Sequence, residues 1–330
     1  MAKALAGEWK AWVAENAVAG VPARDLVRVL VTNGVPRSLA HEAVTEIAIT
    51  SLRDRVRRRD LHLRLRRELE AGRGIERRKK PAAGEFFARY WANAEPVVLT
   101  DAARGWKLWS PEDMKRLVGD VPVRVAEGRF RKRFEKTTIG RYVDDVVRAK
   151  RPRDLYLVSN SLAMAAPGME RLLARVVVDR TYFDPARIAH GGTALWLGPK
   201  GTVTPLHHDT TSVFFVQIYG KKRFTLVSPN DPTVADAANG WYAPVPRRAK
   251  RHVVTLERGE GLFIPAGWWH EVKALDASIS FSLLAFRRPN SFPWYRPGFG
   301  HATNRPTMPK KQGKAIKPAM TSAKIARPRP

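Results

Sequence analysis

Eight histidines and no cysteine limit how this 330-residue chain could hold a metal ion: the ligands must be imidazoles and carboxylates. One set of residues has the right types and spacing. The stretch Gly201-Thr-Val-Thr-Pro-Leu-His207-His208-Asp209 puts an imidazole and a carboxylate two residues apart. In a strand, residues i and i+2 face the same side, so His207 and Asp209 point together while His208 points away. Sixty-one residues after Asp209, Gly259-Glu-Gly-Leu-Phe-Ile-Pro265-Ala-Gly267-Trp-Trp-His270 supplies a second imidazole at the end of a strand and turn. Two histidines and one carboxylate on one face fill three corners of an octahedron. The other three stay open, which suits iron(II) that must also bind small molecules. His41, His62, His190, His252 and His301 lack such framing and read as surface or core residues.

The framing makes the pattern specific. Gly201-x5-His207-x-Asp209 followed by Gly259-x5-Pro265-x-Gly267-x2-His270 matches the two cupin motifs. The longer run Thr204-Pro-Leu-His-His-Asp-Thr-Thr-Ser-Val-Phe-Phe-Val-Gln-Ile-Tyr-Gly220-Lys-Lys-Arg-Phe-Thr-Leu-Val-Ser-Pro229 resembles the JmjC, cupin-like branch of the 2-oxoglutarate oxygenases, which includes the asparaginyl hydroxylase of the hypoxia pathway. The likeness extends over residues 95–290 and is strongest over 192–286.

This resemblance implies an Fe(II) enzyme that uses 2-oxoglutarate as cosubstrate and O2 as oxidant, and that hydroxylates a side chain of a protein or peptide. It assigns His207, Asp209 and His270 to the metal. Lys222, fifteen residues after His207, matches the family's lysine that pairs with the distal carboxylate of 2-oxoglutarate. A buried ammonium facing a dicarboxylate forms a charge-assisted hydrogen bond. Lys221 would face the opposite side, toward solvent. Thr204 matches the threonine that bonds the same carboxylate, and Tyr156 the tyrosine that completes the pocket. Trp196 would line the pocket, and one of Trp268 and Trp269 would be buried in the barrel. Two positions depart from the pattern: Val213 and Ser282 stand where the family commonly carries asparagine beside the iron end of the cosubstrate. Three alternatives stay open. A metal- or sugar-binding cupin without oxygenase chemistry would not need Lys222. A nucleic-acid adaptor with an inactive barrel would tolerate Val213 and Ser282. A tRNA-modifying hydroxylase would share the site and differ in substrate.

The elements that must position these residues follow from texture. From Pro96 onward, short apolar runs alternate with Gly/Pro turns: Leu155–Val158, Ala194–Leu197, Val213–Tyr219, Arg223–Val227, Val253–Leu256, Gly261–Ile264 and Ile279–Phe286. That spacing predicts a mainly β architecture, and with the resemblance a double-stranded β-helix (jelly roll) over 81–300. Ahead of it, residues 1–80 read as a helical region. Gly20-Val-Pro and Gly34-Val-Pro close one helix and open the next, with apolar residues at helical spacing between them. The three short helices over 1–52 are neutral, with five basic and five acidic residues, which favours packing over DNA reading by a helix-turn-helix. A basic helix is expected over 53–80.

The net charge is +28, with +8 in residues 53–80 and +8 in residues 301–330. These segments suit a polyanionic partner such as RNA or the ribosome, an acidic membrane surface, or simple solvation. Five prolines and no aromatic residue predict a disordered basic tail over 301–330. No apolar run reaches membrane-spanning length. The start has Glu8 and lacks an apolar signal core, so a cytoplasmic protein is expected. Nothing in the sequence signals an oligomeric state.

Overall fold

The computed structural model describes residues 5–18, 21–70, 72–127, 133–147, 149–150, 153–189, 192–235 and 247–292. The expected tail over 301–330 lies outside them, as do His190 and His301. The chain divides into two compact units between Leu69 and Glu70.

The first unit is helical: α1 (Gly7–Val18), α2 (Ala23–Thr32) and α3 (Arg37–Leu69). Trp12, Val13, Leu26, Val27, Leu30, Ala40 and Val44 form its core. Gly34 ends α2 with φ +86°. Its amide donates to the Val31 carbonyl and the Val35 amide to that of Leu30, a double closure that favours glycine in the left-handed position. The helix expected over 53–80 is shorter and joined to the third short helix. Residues 37–69 form one helix that stops before Gly72, which takes φ +83°. Glu76–Arg78 are then a strand of the second unit. The physical reason is the glycine pair Gly72 and Gly74, which leaves only the arginine-rich stretch before it helical.

The second unit contains all thirteen strands among the described residues. In chain order these are β1 (Glu76–Arg78), β2 (Val97–Leu99), β3 (Pro122–Glu127), β4 (Arg133–Thr138), β5 (Leu155–Tyr156), β6 (Thr193–Gly198), β7 (Val203–His207), β8 (Val213–Tyr219), β9 (Lys222–Val227), β10 (His252–Leu256), β11 (Gly261–Ile264), β12 (Trp269–Ala274) and β13 (Ser278–Leu283). A six-stranded sheet runs β1-β2-β11-β8-β13-β6, and a four-stranded sheet runs β10-β9-β12-β7. Val98, Val213, Phe215, Leu262 and Ile264 from the first meet Phe224, Leu226, Leu256 and Val272 from the second, which makes the jelly-roll interior.

The six-stranded sheet is buried on its other face too. There Phe214, Val216, Ile218, Phe263, Ile279, Phe281 and Leu283 pack on helical segments that include α4 (Ala83–Phe86) and α5 (Pro111–Val118). Double burial explains why β8 reads as a nearly continuous apolar run, interrupted only by the buried Gln217, rather than an alternating one. A third sheet, β4-β3-β5, contains a hairpin the sequence texture does not signal. It joins β6 through a bridge between Leu157 and Leu197. Gly220 turns the chain from β8 in one sheet to β9 in the other. It has φ +66°, and a Cβ there would sit 2.3 Å from the Ala277 carbonyl oxygen, so only glycine fits.

Candidate metal centre

His207 ends β7 and His270 lies one residue into β12. The two strands pair antiparallel with His207 directly opposite His270, and the imidazole centroids are 4.2 Å apart. Asp209 follows in the loop beyond β7. One ligand atom from each of the three residues lies within 4.8 Å of the others, and His270 Nε2 is 3.7 Å from Asp209 Oδ2. This is the one such cluster among the described residues. The alternation expected of the His-His-Asp run holds: His208 is buried on the outer side, edge-on to Trp269 at 4.6 Å.

The backbone orients both imidazoles. His207 Nδ1 lies 2.8 Å from the Pro205 carbonyl oxygen, and His270 Nδ1 lies 2.9 Å from that of Trp268. A carbonyl only accepts, so each Nδ1 carries the proton and each Nε2 keeps a lone pair for a metal. Burial holds the His270 imidazole well below the usual histidine range, with His207 pushing the same way and Asp209 opposing. It is therefore neutral, the form that ligates. The Asp209 carbonyl accepts from the Gly267 amide at 2.9 Å, tying the aspartate's loop to the turn before His270.

The three residues open into a cavity of about 230 Å³ between the sheets, also lined by Thr204, Tyr156, Trp196, Val213 and Ser282. Lys222 starts β9, is 1% exposed, and touches two residues that line the cavity, Tyr156 and Phe215. Its ammonium donates to the Tyr156 hydroxyl at 2.9 Å and lies over the Tyr156 and Phe215 rings at 5.4 and 5.2 Å. No carboxylate among the described residues pairs with it, and burial pushes its pKa down to about 7. A buried cation facing a hydroxyl and two ring faces suits an incoming carboxylate. Lys221, by contrast, is exposed and pairs with Glu257 at 3.0 Å. Iron(II) and a dicarboxylate therefore fit this region by donor chemistry, with a metal-capable triad in the cavity wall and a lone buried ammonium in contact with the wall residues Tyr156 and Phe215.

The departures from the family pattern have a structural consequence. The Trp196 indole donates to the Ser282 hydroxyl at 2.6 Å. Ser282 thus holds the tryptophan, whose ring packs against Tyr156 and Phe215, both at 5.9 Å between centroids. Val213 presents only methyl groups to the same cavity. Of the Trp268–Trp269 pair, Trp268 joins the barrel interior and donates to the Ala94 carbonyl at 2.8 Å, while Trp269 packs outside with Leu206 and Val227. Ser159 and Thr211 also line the cavity and were not singled out from sequence. Thr211 stands two residues from Asp209 and could have been found by that adjacency. Ser159 carries no local signal. Gly198 is packed so tightly that a Cβ would fall 2.7 Å from the Tyr156 ring, a requirement visible only in three dimensions.

Comparison with known proteins agrees with this geometry. The family described as "Cupin-like domain" matches residues 83–239 and 236–284. Lysine-specific demethylase 8 of Xenopus tropicalis is 28% identical over 239 residues, 65% of this chain and 53% of that protein. Lysine-specific demethylase JMJ30 of Arabidopsis thaliana is 27% identical over 234 residues, 63% of this chain and 54% of that protein. HSPB1-associated protein 1 of Bos taurus is 34% identical over 103 residues, 26% of this chain and 21% of that protein. The chain spans about half the length of the two demethylases it matches. No described helix is long and apolar enough to cross a membrane. With the match covering more than half of its length and both metal motifs inside the matched region, the chain belongs to the cupin-like, JmjC-type family of iron(II)- and 2-oxoglutarate-dependent oxygenases.

Proposed function

We propose that this protein is an iron(II)- and 2-oxoglutarate-dependent hydroxylase that acts on a side chain of a protein or peptide. One observation carries the reading: the His207, Asp209 and His270 ligand atoms open on a cavity whose lining includes Tyr156 and Phe215, and those two residues contact the lone buried ammonium of Lys222. When bound, iron(II) with 2-oxoglutarate and dioxygen supplies the oxidising power, the cosubstrate leaving as succinate and carbon dioxide while one oxygen atom goes to the substrate.

The chain's residues do the holding, orienting and drying. His207 Nε2, His270 Nε2 and an Asp209 oxygen would hold the metal, their tautomers set by Pro205 and Trp268. Lys222 and Tyr156 would bind the far carboxylate, with Thr204 beside them. Trp196, Phe215 and Val213 form an apolar wall that excludes water, so the charge-assisted contact gains strength from the low local dielectric. Cytoplasmic residence fits this reading.

The arginine-rich part of α3 favours a substrate in or near a polyanion, such as a ribosomal or other RNA-associated protein. Residues 53–69 carry eight arginines and three acidic residues. Two relatives are named for lysine demethylation, so a methylated lysine is the second substrate class. Incubation with iron(II), oxygen, labelled 2-oxoglutarate and peptide pools tests both. Succinate with a peptide gaining one oxygen atom supports hydroxylation, and loss of one methylene unit favours demethylation. No succinate from metal-loaded protein, or undiminished turnover in His207→Ala, refutes the oxygenase reading.

A further inference from the structure

Asp209 is the least supported of the three metal-capable residues. It belongs to a loop, its side chain is 40% exposed, and its nearest basic group is His270 itself. Something must hold that loop still if three ligand atoms are to serve one ion.

The support comes from beyond the jelly roll and beyond the region matched to the family, which ends at residue 284. After β13 the chain runs back across the domain and is tied down along its length. The Asp184 amide donates to the Ala285 carbonyl at 2.8 Å, Phe286 is wholly buried against Phe86 and Phe183, and the Arg287 amide donates to the Tyr182 carbonyl at 2.9 Å. From this anchored strap Asn290, 6% exposed, reaches the metal loop. Its Oδ1 accepts from the Ser212 amide at 2.7 Å. Its Nδ2 donates to the Ser212 carbonyl and to the Leu284 carbonyl, both at 2.8 Å. The side-chain amide thus engages both backbone groups of Ser212 as a neighbouring strand would. The Phe292 amide adds a bond to the Thr210 carbonyl at 2.9 Å.

Ser212 passes the constraint on. Its hydroxyl accepts from the Ala266 amide at 3.1 Å, and the next amide, that of Gly267, donates to the Asp209 carbonyl. The loop carrying Asp209 and the turn leading into His270 are therefore bolted to each other through Ser212, and Asn290 fixes Ser212 to the strap. We propose that Asn290 is a positioning residue for the metal centre: through Ser212 it sets where Asp209 stands relative to His270. This inference rests on the metal-binding reading above.

The test is a cobalt(II) titration of the full-length protein, followed by its visible absorption, with thermal unfolding of the metal-free protein measured alongside. Asn290→Ala loses all three bonds. Asn290→Asp keeps the acceptor and loses both donations at nearly the same volume, so it serves if the alanine variant fails to fold. Arg287→Ala is the control, since it cuts a different tie of the strap, the one from Nε to the Arg180 carbonyl. The expected result is cobalt(II) binding weakened about 10- to 100-fold in Asn290→Ala and Asn290→Asp with an altered visible band. Arg287→Ala should bind as the wild type does. Variants at 290 that fold and bind cobalt(II) with unchanged affinity and spectrum, losing only thermal stability, overturn the inference and leave the metal reading standing. A wild type that binds no cobalt(II) overturns the metal reading, and the inference with it.

Discussion

Replacing Lys222 with methionine keeps the length of the side chain and removes its charge. In the ligand-free protein the ammonium is buried, and its one hydrogen bond is to the neutral Tyr156 hydroxyl. Burial lowers its pKa from 10.5 to about 7. At about 1.4 kcal/mol per tenfold, that drop corresponds to a penalty of roughly 5 kcal/mol on the folded state when the lysine is charged. The sign follows from linkage. The folded pKa lies below the unfolded one, so the penalty is complete below pH 7, shrinks as pH rises, and is gone above pH 10.5. Losing the bond to Tyr156 offsets about 1 kcal/mol. Lys222→Met should therefore be more stable than the wild type by roughly 3–4 kcal/mol at pH 6, with the gap closing toward pH 10. For a domain of this size that is a rise in Tm on the order of 10 °C.

A dicarboxylate reverses the preference, because it needs the charged lysine. Wild-type affinity for 2-oxoglutarate should fall as pH climbs through 7, by about tenfold per pH unit, with one proton taken up on binding. Thermal unfolding of both proteins across this pH range, and calorimetric titration with 2-oxoglutarate in two buffers of different ionisation enthalpy, measure these effects. Parallel stability curves for wild type and Lys222→Met would refute the reasoning, as would 2-oxoglutarate binding that survives the substitution.

Gly220→Ala forces a side chain into a left-handed conformation and against the Ala277 carbonyl; chemical denaturation should show a loss of at least about 1–3 kcal/mol. Ser282→Ala removes the acceptor of the Trp196 indole, and should cost about 1–3 kcal/mol. It should also change tryptophan emission, an effect absent from Ser282→Thr if the hydroxyl alone matters. Phe281→Ala empties a wholly buried ring position on the helix-covered face of the six-stranded sheet. It should destabilise by about 3–5 kcal/mol while leaving cobalt(II) affinity of the folded fraction unchanged.

Much of the site was legible in the chain because its chemistry is encoded by local spacing. His207 and Asp209 share a side through the two-residue period of an extended chain, and the Gly259 to His270 motif supplies both the turn and the second imidazole. Strands buried on both faces announced themselves as apolar runs, so Val213–Tyr219 and Gly261–Ile264 have the boundaries the sequence predicts. The β3–β4 hairpin was not legible. Its partly buried second strand, Arg-Phe-Glu-Lys-Thr-Thr, resembles a polar loop.

What the sequence by itself determined was the set of residues able to bind a metal and the strand-and-turn texture of a mainly β domain; its resemblance to the cupin-like family added a lysine at the position that family uses for a dicarboxylate. The tertiary structure decided which of these residues meet, and what holds them. Only strand pairing sets His207 opposite His270. Only the placement of β5 beside β3 and next to β6 brings Tyr156 to Lys222 across 66 positions of sequence. Only the strap after β13 carries Asn290 to Ser212, 78 positions away. The physical reason is the same in each case. Periodicity reports which way a side chain points from its own backbone, whereas the identity of its partner depends on long-range pairing that no local pattern encodes.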